Sequence, residues 1–203
     1  MNDKKKMLEG KLYIASADPA LREDNKRCKR LLRAFNATTE EEIEQRTAIL
    51  KSLFAETGDS LYIEPPFHCD YGCHIHVGEN FYANYDLIIL DVCDVYIGNN
   101  VFLAPRVGIY AAGHPIDKDV RNMQLEFGEP IHIGNDVWIG ADVTINPGVS
   151  IGDNVVIGSG SVVVKDIPSG VVAAGNPCRV IREISEQDAI YWNNLKKEYF
   201  ADN

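Results

Sequence analysis

His114 is the residue of this chain best suited to moving a proton. It stands in Ala112-Gly113-His114-Pro115. A proline biases the residue before it toward extended angles, and a glycine frees the turn. Together they can hold an imidazole in one direction. An imidazole titrates near neutrality, which suits a general base; a histidine in a surface turn is the plain alternative. His68, Cys69, Cys73, His74 and His76 form a second constellation. These are ligand types that zinc accepts. Their spacing matches no zinc motif, and His74 and His76 are expected to share one strand face, so no metal is expected. Lys165, Arg179 and Arg182 supply cations of the kind that bind phosphate, although surface cations are more often merely solvated.

The elements that must carry these residues are written in sixes. Ile133, Ile139, Ile145, Ile151, Ile157 and Val163 fall in one column, and Val137, Val143, Val149, Val155 and Ser161 in another. Gly134, Gly140, Gly152 and Gly158 follow their isoleucines, with Asn146 standing in once. Two apolar residues at alternate positions and then a small one read as a short strand and a corner. A hexapeptide period of this kind is a signature of the parallel β-helix. Stacked coils put like residues about 4.8 Å apart. The small residue after each isoleucine is expected at the turn, in left-handed backbone angles.

The same columns run through Ile75, Phe81, Leu87 and Cys93 and through Val77, Ala83, Ile89 and Val95. A two-residue shift follows near 91–94. The phase resumes at Ile97, Leu103 and Ile109 and again at Ile133, so the segment 111–130 is an excursion that returns in register. A long polar loop leaving a rigid repeat is a good place for function. Before the repeat, Asp18-Pro19 reads as the N-cap and first residue of a helix running to Asn36. Thr39 with Glu42 reads as the capping box of a second helix that stops at Gly58. Ser185 begins a terminal helix that is expected to cover the open end of the coil. The division expected is 1–58 helical, 59–184 β-helix with the excursion 111–130, and 185–203 helical.

The composition of the 203 residues is that of an ordinary globular chain, and the net charge of −10 argues against general nucleic-acid binding. No apolar run reaches the roughly 18 residues needed to cross a bilayer. The basic stretch 1–10 has no apolar segment of a secretory signal. Five cysteines, an odd number, suggest reduced thiols in a cytoplasmic protein.

The chain resembles the maltose and galactoside acetyltransferase group of the hexapeptide-repeat acyltransferases. The resemblance rests on Phe81-Tyr82-Ala83-Asn84-Tyr85, Glu64–Pro66, Asp70-Tyr71-Gly72, Asp91-Val92-Cys93 and His114-Pro115-Ile116-Asp117, and spans nearly the whole length. It implies a left-handed β-helix, although the general rule for parallel crossovers favours the right hand. It implies a homotrimer, with acetyl-CoA as cosubstrate and a sugar hydroxyl of maltose or glucose type as acceptor. His114 would be the base and Asn84 part of the transition-state shell, with the Ala141 amide a donor to the oxyanion. From spacing alone, Asn84 is a corner residue. The acceptor set implied is Asp70, Asn84, Tyr82, Asp18 and Val92; capping also explains Asp18. The CoA set implied is Trp138, Ala141, Ser159, Val164, Lys165, Arg179 and Arg182. Glu126 reads as a solvated loop carboxylate, with orientation of His114 as the other possibility. Acetyl transfer to another acceptor (a galactoside, serine or an antibiotic), a zinc enzyme like the γ-carbonic anhydrases and a non-catalytic β-helix scaffold are the alternatives.

Overall fold

A computed structural model describes residues 1–201; Asp202 and Asn203, the last two of the expected terminal helix, lie outside the described residues. The columns fold as a left-handed parallel β-helix of three faces. Face one stacks Glu56–Thr57, Ile75–Val77, Val95–Ile97, Ile131–Ile133 and Ser150–Ile151. Face two stacks Leu61–Ile63, Phe81–Ala83, Phe102–Leu103, Trp138–Ile139, Val156–Ile157 and Val171–Ala174, and Arg179–Glu183 returns antiparallel at its end. Face three stacks Phe67–Cys69, Leu87–Leu90, Gly108–Tyr110, Thr144–Ile145 and Val162–Val163.

The register is that of the columns, with Ile97 against Ile133 and Ile133 against Ile151. Both column residues of each strand are buried. Full burial of each Ile or Val contributes about 1.5–3 kcal/mol. Ser161, the polar member of its column, is buried without penalty. Its hydroxyl donates to the Gly158 carbonyl (2.5 Å) and accepts from the Gly175 amide (3.0 Å).

The glycine after each isoleucine does not take the left-handed conformation; that falls two residues later. Asn80, Asp86, Asn100, Arg106, Asp136, Asp142 and Asn154 all have φ between 53° and 62°. Asn and Asp tolerate this region. The glycines are needed for a different reason. A Cβ on Gly98 would lie 2.7 Å from the Gly134 carbonyl oxygen, and one on Gly140 would lie 2.6 Å from the Ser159 nitrogen. Close stacking of the coils, not backbone angle, selects them.

The helices depart from the expected pattern in three places. Helix α1 (Asp3–Leu8), capped by Asn2, has no counterpart in the expected pattern. Helix α2 (Pro19–Asn36) is as expected, with Asp18 as its cap. The Thr39 amide and hydroxyl both donate to Glu42 (2.8 Å each), but the helix proper, α3, is Ile43–Leu53. It ends before Gly58 because Glu56–Thr57 already pairs with Ile75–Val77 as the first strand of face one. Phe35 and Phe54 meet Phe67 edge-on (6.4 and 5.8 Å), which seats the helices on the first coil. After the short α4 (Lys118–Arg121), helix α5 (Glu186–Ala201) is the last element. It buries no side chain, so it does not cover the end of the coil. The antiparallel strand Arg179–Glu183 borders face two there instead.

Candidate active site

Every irregularity in coil length falls at one edge of the prism, between faces three and one. Two extra residues enter at 70–74 and two more at 91–94, so partners are 20 residues apart in these coils, as in Ile63 with Ala83 and Ala83 with Leu103. The excursion leaves the same edge, and later partners such as Ile139 and Ile157 are 18 apart. Successive loops therefore stack into a wall that carries Asp70, Val92 and His114.

Hydrogen bonds fix this wall. Asp91 is fully buried, and its Oδ1 accepts from the amides of Asp70 (3.0 Å) and Tyr71 (2.9 Å). Asn25 of α2 donates to the Asp70 carbonyl (2.8 Å). The excursion is an arm whose base pairs Ala112–Gly113 with Phe127–Gly128 antiparallel. At the base, His114 Nδ1 faces the Leu125 carbonyl oxygen at 3.1 Å. A carbonyl only accepts, so Nδ1 carries the hydrogen and Nε2 is left for chemistry. The residue that orients His114 is thus the backbone of Leu125, not Glu126. Glu126 turns the other way and accepts from the Tyr13 hydroxyl (3.2 Å), while the backbones of the two residues bridge.

α2 and the segment before it close a cavity of about 310 Å³ against this wall. Asp70, Val92 and Glu126 line it, together with Tyr71, Asn25 and Arg22. Burial, then the charge of Glu126, pushes the Asp70 carboxyl up. Burial is also the main reason that the Tyr13 and Tyr71 hydroxyls are held protonated, with Glu126 and Asp70 adding to it. Asp18 is not among the lining residues of this cavity, and its carboxylate oxygens accept from the amides of Lys4 (2.8 Å) and Ala20 (2.9 Å), as a helix cap does. Tyr13, Asn25 and Asp91 went unrecognised as members of the site. Only Asp91 carried a sequence signal, its place in the Asp91-Val92-Cys93 motif.

The other site residues lie elsewhere. Asn84 falls at the edge between faces two and three, where its Oδ1 accepts from the Tyr85 amide (2.8 Å). Ala141 and Ser159 lie on the same edge in later coils, and the Ala141 amide donates to Ser159 Oγ (3.1 Å). Tyr82 and Trp138 point outward from face two. Tyr82 stacks on Tyr62 (6.0 Å), and Trp138 stands in register with Phe102 and Val156, 55% exposed. Arg179 and Arg182 are on the antiparallel strand ending that face. Arg179 donates to the Cys178 carbonyl (2.7 Å), and Arg182 forms a two-pronged pair with Asp188 (2.7 and 2.8 Å). Val164 and Lys165 return to the edge of Asp70 and His114, directly after Val162–Val163 of face three. In one chain, face three separates His114 from Asn84 and the Ala141–Ser159 step.

The soft-ligand constellation is dispersed. Cys69 points inward toward Cys28 (Sγ to Sγ 3.5 Å), and His68 points outward. His74 is buried at the corner with Nδ1 on the Asp91 carbonyl (2.7 Å), whereas His76 is outward on face one, stacked on Tyr96 (4.5 Å). They do not share a face, because the strand begins only at Ile75. Among the described residues, no group of three or more His, Cys, Asp or Glu is arranged to hold a metal ion. None of the described helices is long and apolar enough to cross a membrane.

Residues 6–58 match the maltose acetyltransferase hexapeptide capping motif, and 130–165 match the bacterial transferase hexapeptide family of six repeats. The galactoside O-acetyltransferase of Escherichia coli K12 is 47% identical over 183 residues, covering 90% of each chain. The crystal structure of a maltose O-acetyltransferase from Clostridium difficile 630 is 56% identical, with a TM-score of 0.90 over 91% of this chain and 98% of that one. A galactoside acetyltransferase solved in complex with coenzyme A is 47% identical, with a TM-score of 0.90 over 93% and 94%.

Proposed function

Because the chain belongs to the maltose and galactoside group of the hexapeptide-repeat acetyltransferases, we propose that it transfers the acetyl group of acetyl-CoA to a hydroxyl of a maltose- or glucose-type sugar, with His114 as general base. The observation that carries this is the bond from His114 Nδ1 to the Leu125 carbonyl. It leaves Nε2 as the basic atom, on the same arm base that supplies Glu126 to the cavity of about 310 Å³.

A hydroxyl becomes an effective nucleophile as a base removes its proton. Nε2 takes that proton while the hydroxyl oxygen attacks the thioester carbonyl. The tetrahedral oxyanion collapses, the C–S bond breaks, and the proton returns to the departing thiolate. Asp70 and Val92 belong to the acceptor cavity. The outward indole of Trp138, the small corners at Ala141 and Ser159, and Lys165, Arg179 and Arg182 belong to coenzyme A. For the Ala141 amide to serve the oxyanion, Ser159 Oγ must yield it. Arg182 must likewise release or share Asp188.

The division of these residues between two edges supports a homotrimer whose sites form between copies, one supplying the His114 edge and its neighbour the Asn84 edge. An odd number of cysteines, all free, favours a cytoplasmic setting.

The test is CoA release from acetyl-CoA with maltose, glucose, a β-galactoside, serine and chloramphenicol. Turnover with sugars that falls by about 10²–10⁴ in His114→Ala, with CoA binding kept, is the expected result. Unchanged turnover in that variant removes His114 from the mechanism.

A further inference from the structure

Resting on that acceptor cavity, we infer that the acceptor carries a protonated amine as well as its reacting hydroxyl, an amino sugar, and that Asp70 and Glu126 hold the ammonium. Both carboxylates line the same cavity. Neither forms an ion pair among the described residues. The only side-chain partner of Glu126 is the Tyr13 hydroxyl, and the fixed contacts of Asp70 go to its backbone.

The cations nearby do not neutralise them. The Arg22 guanidinium is turned to the Ser16 carbonyl (2.5 Å), and Lys29 acts on Asp70 only weakly, ranking after burial and Glu126. The other titratable groups nearby are neutral or already partnered. Tyr13 and Tyr71 are held neutral, Asp24 is paired with Lys4 (2.6 Å), and Asp91 accepts from the Asp70 and Tyr71 amides and feels the charge of His74.

One carboxylate is enough to accept from a neutral sugar's hydroxyl. Two carboxylates in one half-dry cavity, where the charge of Glu126 adds to burial in pushing the Asp70 carboxyl up, are unfavourable until a cation or a proton lies between them. An ammonium brings one positive charge and three donors, which suits two carboxylates. Glu126 also follows directly on Leu125, whose carbonyl orients His114. Recognition of the amine and aim of the base are therefore built on consecutive residues of one rigid hairpin base. No covalent step differs from acetyl transfer to a hydroxyl; the amine is bound and not acylated.

Glucosamine, glucose and N-acetylglucosamine share the primary hydroxyl and differ at one carbon, where they carry an ammonium, a hydroxyl and an amide. Steady-state CoA release gives KM and kcat for each, first in mildly acidic buffer and then in buffer basic enough to neutralise the amine. Hydroxylamine lability of the product identifies an O-ester. The ratio between sugars at one pH cancels titration of the enzyme common to all three.

At the acidic pH, KM for glucosamine should be at least about tenfold below that of the other two. The advantage should close as the amine loses its proton. Asp70→Asn and Glu126→Gln should each shrink the ratio, and the glutamine keeps an acceptor for Tyr13. Equal KM values for the three sugars, a ratio unmoved in Glu126→Gln, or an N-acetyl product overturns the inference and leaves O-acetylation of sugars standing. Absence of turnover with all three and with maltose brings down the function reading and this inference together.

Discussion

Asp91→Asn should make the protein more stable near neutral pH, although Asp91 is the group that holds the backbone of Asp70 and Tyr71 in the corner wall. Its Oδ1 accepts two short amide bonds, while Oδ2 accepts only the His74 amide at 3.4 Å. Burial outweighs these bonds and pushes the carboxyl up to about 6 from its ordinary 3.8. That interval corresponds to about 3 kcal/mol. The folded state binds the proton more tightly than the unfolded chain. The group therefore destabilises the fold fully above pH ~6 and not at all well below 3.8, and stability from this group falls as pH rises between them. Asparagine has no charge to desolvate and keeps an oxygen for the two short bonds. Its amide faces the His74 N–H, which costs about 1 kcal/mol. The net gain expected above neutrality is about 2 kcal/mol, and near pH ~4.5 it falls to about zero. Urea unfolding of both proteins at one protein concentration, at each pH, measures it. The difference between variants cancels the titrating groups that do not interact with Asp91; the charge of His74 does act on it and stays within the difference. A difference that is the same at both pH values refutes the reasoning, because Asp91 would then titrate alike in folded and unfolded chains. Asp91→Ala should behave oppositely. It leaves two buried amides without an acceptor, at about 1–3 kcal/mol each, and should raise KM for the acceptor by loosening Asp70.

Gly140→Ala should destabilise by more than the ~1 kcal/mol range of propensity effects, because its Cβ meets the Ser159 backbone nitrogen at 2.6 Å; a thermal melt at or above the wild-type midpoint would contradict the stacking account. Ser161→Val restores the column's hydrocarbon but strands the Gly175 amide, so a loss of about 1–3 kcal/mol in denaturant unfolding is expected, and a gain would show that the hydroxyl's two bonds are dispensable. Arg179→Ala should raise KM for acetyl-CoA and leave the acceptor's KM in place, and the reverse pattern in steady-state kinetics would remove Arg179 from the coenzyme site. Arg182→Ala should leave the thermal midpoint essentially where it is, since its pair with Asp188 is screened by solvent; calorimetry showing a clear drop would make that pair structural.

The coil was legible because each column residue meets the same surroundings one coil above and below, so composition repeats where environment repeats. The columns from Ile131 to Val163 needed no correction. The turn glycines were misread because a small residue admits two explanations, freedom of backbone angle and lack of room, and only stacked coils show which one applies. The site was harder for a related reason. Along the chain, the slip near 91 stands out only as a shift of phase, the one near 70 precedes the columns and passes unseen, and the excursion looks like one isolated loop. Stacked, all three leave the same edge and become one wall. Tyr13 reaches Glu126 across 113 positions, and no local pattern announces such a pair. His114 and Asp70 could be named from their neighbours, but their association could not. The insertions also suggest why chemistry collects there. An inserted residue within a face would slip the register and turn every following side chain over. One inserted at a corner leaves the columns intact, as the re-entry of Ile131 and Ile133 opposite Val95 and Ile97 shows. A β-helix can therefore vary its corners freely while its faces stay bound to the period. The edge that has departed furthest from the period is the one that holds the cavity.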